Sequence, residues 1–311
     1  MASEPTIAVL GVAPLTQRSR ASRLSAAMPD YWALTKPEVN FLILITTFAG
    51  FYLAPASSPG GFRILLALHM LFGTLLVAGG TAALNQFFER DFDAHMRRTA
   101  RRPVASGRVR PSHALWFGIS LSLAGAAYLV LAVNVLASLL AVGTLLSYLF
   151  LYTPLKRRTP VCTLVGAFPG AVPPLIGWAA ASGRLEPRAW LLYAVVFLWQ
   201  FPHFMAIAWM YRDDYARAGY LVLPAGSRRD RFVIWQSVVA SLALIPLSLI
   251  PAVTAASGRA YSVGVLILGS IFLYYSARFA FHRSHIAARR LLTASIVYLP
   301  AVFVLTMLGK K

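Results

Sequence analysis

The 311-residue sequence contains one cysteine, Cys162, and ten acidic residues. A lone cysteine excludes an intrachain disulfide and implies no zinc cluster; packing is its expected role. Charge of either sign is scarce. Asp, Glu, Lys and Arg make up 13% of the chain, against about 25% in an ordinary soluble domain. Alternating ten-residue strands are missing, which excludes a membrane β-barrel. The short apolar stretch TIAVLGVAPL near the start has no basic segment before it and makes a poor signal peptide.

Hydrophobic residues are abundant, at 58%, with a mean hydropathy of +0.66. They fall into nine apolar spans, predicted at 38–55, 63–88, 113–133, 134–153, 161–182, 189–211, 232–252, 261–281 and 290–308. Spans of this length cross about 30 Å of hydrocarbon as helices. The expected fold class is all-α, a polytopic membrane bundle of about nine transmembrane helices. Residues 1–30 read as a flexible cytoplasmic tail and 31–311 as a single transmembrane domain. Kinks or breaks are expected at Pro169, Pro173, Pro202 and Pro246.

The net charge of +19 would suggest nucleic acid in a soluble protein. In this chain nucleic acid is not expected, because the basic residues follow the spans. With the N-terminus in the cytoplasm, 23 of the 29 Lys and Arg fall on the inner side and 6 on the outer. Such a bias sets orientation and faces anionic membrane lipid.

Five of the ten acids fall in two inner-side clusters: Glu89, Asp91 and Asp93 after the second span, and Asp213 and Asp214 after the sixth. The clusters lie four spans apart, which hints at a duplicated four-helix unit, although no clear repeat accompanies it. Asn85, Glu89 and Asp93 are spaced i, i+4, i+8. If the helix continues that far, they form one column of oxygens. Hard oxygen ligands suit Mg²⁺, which keeps waters and is usually completed by substrate phosphates. Asp213 and Asp214 can supply the facing side. Arg90, Arg97, Arg101, Arg102, Lys156 and Arg157 surround the acids, and metal-holding acids among bases match what a diphosphate needs. The plainer reading, ion pairs with neighbouring arginines at the membrane surface, contributes little stability; the two-cluster arrangement favours the metal site.

NQFFERDFDAHMRRTARRP (85–103) resembles the first signature of the UbiA-type intramembrane prenyltransferases, N-x-x-x-D-x-x-x-D, with Glu89 in place of the first Asp. YTPLKRRT (152–159), WQFPHF (199–204) and YRDDYARAGYLVLP (211–224) are similar to segments of the protohaem IX farnesyltransferases, or haem O synthases, within that group. Where many relatives carry D-x-x-x-D, this chain has Tyr211 and Tyr215 flanking Asp213 and Asp214, which leaves open which Asp binds metal.

The resemblance implies farnesyl diphosphate and haem b as substrates, and haem O and diphosphate as products. It implies Mg²⁺ held by Asn85, Glu89, Asp93 and one or both of Asp213 and Asp214. Lys156, Arg90 and Arg102 are the expected phosphate contacts, with Arg157 beside them and Tyr152 one turn before Lys156. Arg97 and Arg98 are candidates for the haem propionates. His203 shares a helix face with Trp199, Ile207 and Tyr211; it is expected to touch haem or carry the proton released when water adds, against the alternative of packing at Pro202. Tyr211 is a further candidate substrate contact. His95 sits in the acidic loop, where it could touch propionate or phosphate or simply be solvated, and His69 reads as packing. Phe48, Tyr148 and Trp199 are candidates to face an allylic cation. A haem A synthase or a terminal oxidase would be a partner, and a bacterial inner membrane the location. Competing readings are a prenyltransferase for an aromatic quinone precursor, a secondary transporter, and a haem-binding assembly chaperone.

Overall fold

The computed structural model describes residues 28–55, 60–224, 226, 228–253 and 258–309. Most of the tail expected over residues 1–30 therefore lies outside the described residues; helix begins at residue 28. A short helix α1 (28–34) leads into α2 (Pro37–Leu53), α3 (Gly60–Asp93) and α4 (Pro111–Ala132). Then come α5 (Val135–Leu155), α6 (Cys162–Gly170), α7 (Pro173–Ser182) and α8 (Pro187–Met210). A six-residue helix α9 (Arg212–Arg217) precedes α10 (Arg228–Pro251), α11 (Arg259–His282) and α12 (His285–Leu308). Among the described residues there is no strand.

Eight of these segments are long and apolar enough to cross a membrane, with α6 and α7 together making one of them; α2, of 17 residues, is a shorter apolar helix. The chain is a multi-pass membrane protein. Large apolar side chains such as Leu131, Ile64 and Leu123 remain exposed on its flanks, as a lipid-facing surface requires.

The prolines act unequally. The chain breaks at 171–172, ahead of Pro173 at the start of α7, where a missing N–H costs nothing. Pro202 and Pro246 instead lie inside helices that run on through them, and Pro169 is the penultimate residue of α6, at the edge of the same break. In α5 the residues Ser147–Tyr152 widen to a π-helix before the helix resumes at Thr153. Such bulges are frequent at functional sites.

Small residues bring helices together. A Cβ on Gly80 of α3 would lie 2.2 Å from Ser122 Oγ, and one on Gly125 of α4 would lie 2.8 Å from the Val77 amide nitrogen. The α2–α7 crossing is closer: a Cβ on Gly177 would come 1.8 Å from the Thr47 carbonyl oxygen, and one on Gly50 would come 2.0 Å from that of Pro174. In lipid, close backbone approach of this kind is a main source of helix association. The α6–α7 span is the most enclosed in the bundle and walls the central cavity.

Candidate functional site

Helix α3 has 34 residues, about 51 Å at about 1.5 Å per residue. That exceeds the about 30 Å of hydrocarbon, so α3 is long enough to extend beyond the hydrocarbon as helix. The i, i+4, i+8 column forms as its spacing predicts. Asn85, Glu89 and Asp93 are all buried, at 1%, 5% and 0% exposure.

Each member of the column meets one cation from a different part of the chain. Lys36 Nζ donates to Asn85 Oδ1 at 2.7 Å. Lys156 Nζ donates to Glu89 Oε1 at 2.7 Å. Arg102 Nη1 reaches both oxygens of Asp93, at 2.8 and 2.7 Å. Lys36 stands at the start of α2 with a φ of 50°, in the left-handed region that non-glycine residues rarely occupy. Such strain concentrates at functional sites. Burial, and then the nearby Arg102 charge, push the Lys36 ammonium down to about 7.

Lys156 lies in a cage. Its Nζ is 4.6 Å from the ring centroid of Tyr152, 5.9 Å from that of Tyr220 and 6.0 Å from that of Tyr148. Burial opposes its charge, but the Glu89 carboxylate and then the tyrosines outweigh that and raise its pKa well above the ordinary lysine value. Burial, and then the same carboxylate, push the Tyr220 phenol up. The π-helical widening of α5 is the segment that carries both Tyr148 and Tyr152.

The second acidic cluster reaches the first through a loop. Asp214 is buried; it accepts a hydrogen bond from the Arg98 amide at 3.2 Å and pairs with Arg217. Met96, Ala218 and Tyr220 pack together, with Phe92 and Tyr215 against them, and the Leu221 amide donates to the Lys156 carbonyl at 2.7 Å. Asp213 points outward, its side chain 80% exposed and 3.7 Å from Arg212. Asp213 thus turns to the outside, whereas Asp214 is held by Arg98 and Arg217, and no group of three or more His, Cys, Asp or Glu able to hold a metal occurs among the described residues.

The remaining expected residues divide. Arg90 donates to the Phe87 carbonyl and lies 3.6 Å from Asp91, away from the column's partners. Arg97 is exposed, and Arg157 is exposed with its guanidinium over the Phe92 ring. Arg98 lies over the Tyr211 ring, 5.0 Å from its centroid. His95 Nδ1 is 2.7 Å from the Asp91 carbonyl oxygen, and His69 Nδ1 is 2.6 Å from the Tyr128 hydroxyl oxygen. Phe48 is 41% exposed on the flank. Sequence reasoning placed Lys36 in the topology count only and missed Tyr220. The signal for Lys36 was its position beside Pro37, at the start of the first span.

Beneath the column lies a cavity of about 400 Å³. Lys36 and Arg102 mark its polar end; Tyr148 and Tyr152 form one side; Trp199 and His203 lie deeper. Val39, Leu42 and Ile296 line the same cavity yet are 53%, 39% and 45% exposed, so it opens sideways between α2 and α12. A second hollow, of about 570 Å³, lies between α11 and α12 beside Arg289 and Arg290, and no acid lines it.

Two carboxylates and a carboxamide oxygen are hard donors that fit Mg²⁺, with water and substrate phosphate completing its shell. The Nδ2 of Asn85 is buried without a hydrogen-bond partner, which leaves a donor for a ligand at the same spot. Three cations against two carboxylates leave the site short of negative charge, as a site for a polyanion should be.

Residues 43–299 match the model of the UbiA prenyltransferase family. A protohaem IX farnesyltransferase of Solibacter usitatus is 50% identical over 289 residues, covering 91% of this chain and 99% of that protein. Its counterpart in Koribacter versatilis is 41% identical, covering 92% and 95%. The counterpart in Salinibacter ruber is also 41% identical, covering 89% and 97%. Among solved structures, one of digeranylgeranylglyceryl phosphate synthase superposes with a TM-score of 0.74 at 18% identity, covering 91% of this chain and 98% of that one. A UbiA homologue from Archaeoglobus fulgidus bound to GPP and Mg²⁺ gives 0.61 at 17%, covering 89% and 99%. At these identities the structural likeness speaks to the fold.

Proposed function

The chain belongs to the UbiA prenyltransferase family, and from that premise we propose that it transfers the farnesyl group of farnesyl diphosphate to a vinyl group of haem b, with addition of water, giving haem O and diphosphate. The observation that carries the reading is the column Asn85–Glu89–Asp93, each oxygen group matched to its own cation, with two of those cations, Lys36 and Arg102, lining a cavity that opens between α2 and α12. The acceptor follows from similarity to proteins named protohaem IX farnesyltransferase over nearly their whole length.

Asn85 Oδ1, Glu89 and Asp93 hold the metal. Magnesium, when bound, supplies positive charge against the diphosphate as it leaves. Lys36, Arg102 and Lys156 turn from the column to the phosphate oxygens, and Asn85 Nδ2 gains its missing acceptor. Arg90, Arg97 and Arg157 stand farther out and draw anionic substrates toward the inner surface. Asp214 holds the loop that carries Arg98 and, through it, Tyr211; Asp213 faces the aqueous side of the same segment.

The C–O bond of the allylic diphosphate then breaks. The π-faces of Tyr148 and Tyr152 stabilise the allylic cation, and the apolar walls keep water from it. The haem vinyl group attacks the cation, and water adds to the benzylic-type cation that results. His203 lies deeper in the cavity, where the acceptor enters, and takes the proton shed by that water.

The protein sits in a bacterial inner membrane with the acidic column at the cytoplasmic face. The inner-side excess of Lys and Arg and the bacterial relatives support this placement. A haem A synthase or a terminal oxidase in that membrane takes up the product.

The deciding experiment incubates membranes containing the expressed chain with farnesyl diphosphate and either haem b or 4-hydroxybenzoate, with Mg²⁺ or with EDTA. Haem gaining the mass of a farnesyl group plus a hydroxyl, only with Mg²⁺, is the expected result. Prenylated 4-hydroxybenzoate with unchanged haem would overturn the acceptor assignment. Product formation undiminished by EDTA would overturn the metal.

A further inference from the structure

His203 and Ser295 meet inside the bundle, His203 from α8 and Ser295 from α12. His203 Nδ1 lies 2.8 Å from Ser295 Oγ. The same hydroxyl donates to the Leu292 carbonyl at 2.6 Å. A serine hydroxyl has one hydrogen. With that hydrogen spent on Leu292, Oγ can only accept from the imidazole, so Nδ1 carries the proton. A neutral imidazole has one N–H, which leaves Nε2 with a free lone pair; the tautomer follows from the hydrogen-bond network.

The ring is held on its other sides as well. Trp199 stacks on it, with centroids 4.7 Å apart and planes 27° apart, and Trp199 Nε1 donates to the Ser295 carbonyl at 2.8 Å. Trp199 and Ser295 together therefore fix both the plane and the tautomer. His203 lines the cavity, and with Nδ1 committed to Ser295, Nε2 is the nitrogen left for a ligand there. Ser295 itself is fully buried.

We propose that Ser295 is a positioning residue that locks His203 in the Nδ1–H tautomer, so that Nε2 is the base for the water-addition step. The inference rests on the haem-farnesylation reading. Farnesyl attachment leaves a cation on the former vinyl carbon next to the porphyrin ring. A water oxygen forms a C–O bond to that carbon, and one of its protons passes to Nε2, giving the alcohol. The proton then leaves with diphosphate, so that farnesyl diphosphate, haem b and water balance the alcohol and diphosphate. A cation not trapped in this way loses a proton from the neighbouring CH₂ and becomes an alkene, one water lighter than the alcohol.

The test compares wild type with Ser295→Ala, Ser295→Thr, His203→Gln and the Ser295→Ala/His203→Gln double variant in membranes supplied with farnesyl diphosphate and haem b. Ser295→Ala removes the hydroxyl but keeps the backbone carbonyl that Trp199 uses. Its kcat should fall on the order of tenfold, less than the roughly 10²–10⁴-fold that a general base supplies. Its KM for farnesyl diphosphate should stay unchanged, and its alkene fraction should rise. Ser295→Thr should restore both kcat and the alcohol-to-alkene ratio. In the His203→Gln background, Ser295→Ala should cost nothing further. If Ser295→Ala does not accumulate, Ser295→Cys, whose sulfur accepts weakly, replaces it with the same expectations. Additive losses in the double variant, or an unchanged kcat and product ratio in the serine variant, overturn the inference while leaving haem farnesylation standing. A wild type that makes no prenylated haem overturns the functional reading and the inference with it.

Discussion

Arg102 grips both carboxylate oxygens of Asp93, at 2.8 and 2.7 Å, from a loop nine residues farther along the chain. Asp93 is fully buried, and Arg102 remains partly open to the cavity. The two form a charged hinge at the polar end of the site.

Asp93→Asn keeps the shape of that hinge and removes its negative charge. Haem O formation should fall by about 10²-fold or more, the scale expected when one group stabilising transition-state charge is lost. The protein should still insert and accumulate. Product mass analysis beside a detergent melting curve checks both expectations.

Lys156 and Glu89 are both nearly buried, with side-chain exposures of 12% and 6%. Lys156→Met strands a carboxylate and should cost about 3–5 kcal/mol of stability. Adding Glu89→Gln should recover most of that loss and none of the activity. Melting temperatures of the two singles and the double, with activity alongside, measure the coupling.

The adjacent acids of the second cluster should separate cleanly. Asp214→Asn weakens the bond from the Arg98 amide and the pair with Arg217, loosening the loop between Asp93 and Arg102. It should raise the KM for farnesyl diphosphate about tenfold, the cost of one charge-assisted hydrogen bond. Asp213→Asn, on the exposed side, should change it by less than about twofold. Steady-state assays of both variants decide the matter.

Gly177→Ala should destabilise the bundle severely, because the new methyl group would press on backbone at Thr47 and Phe51. Overpacking costs about 1–3 kcal/mol or more, and rigid backbone cannot yield as a side chain can. Gly143→Ala, in an exposed helical position with nothing within 4 Å, should be neutral or stabilising by up to about 1 kcal/mol. Expression level and melting temperature distinguish the two.

Helix count and the oxygen column are legible in the sequence for one reason. Hydrophobic length and the 3.6-residue period are local properties, and α3 keeps its period from Asn85 to Asp93. The cations that meet the column are less legible. Lys156 and Arg102 lie within motifs, but Lys36 comes from 49 residues upstream and only tertiary packing brings it to Asn85. Proline content predicts possible breaks without ranking them: Pro173 stands where a helix starts, whereas Pro202 lies inside a helix enclosed by neighbours. The adjacent aspartates show the same limit. Spacing alone says that one of them turns away, and the contact with Arg98 identifies it as Asp213. Ser295 carries no motif at all; only the crossing of α8 and α12 reveals it.

The sideways opening past Val39, Leu42 and Ile296 has a kinetic consequence. A farnesyl tail and a porphyrin that arrive through such a doorway are sampled from a two-dimensional solvent. The relevant concentration is then molecules per lipid, and diluting a proteoliposome with inert phospholipid, at constant amounts in the tube, should slow turnover as surely as withholding substrate.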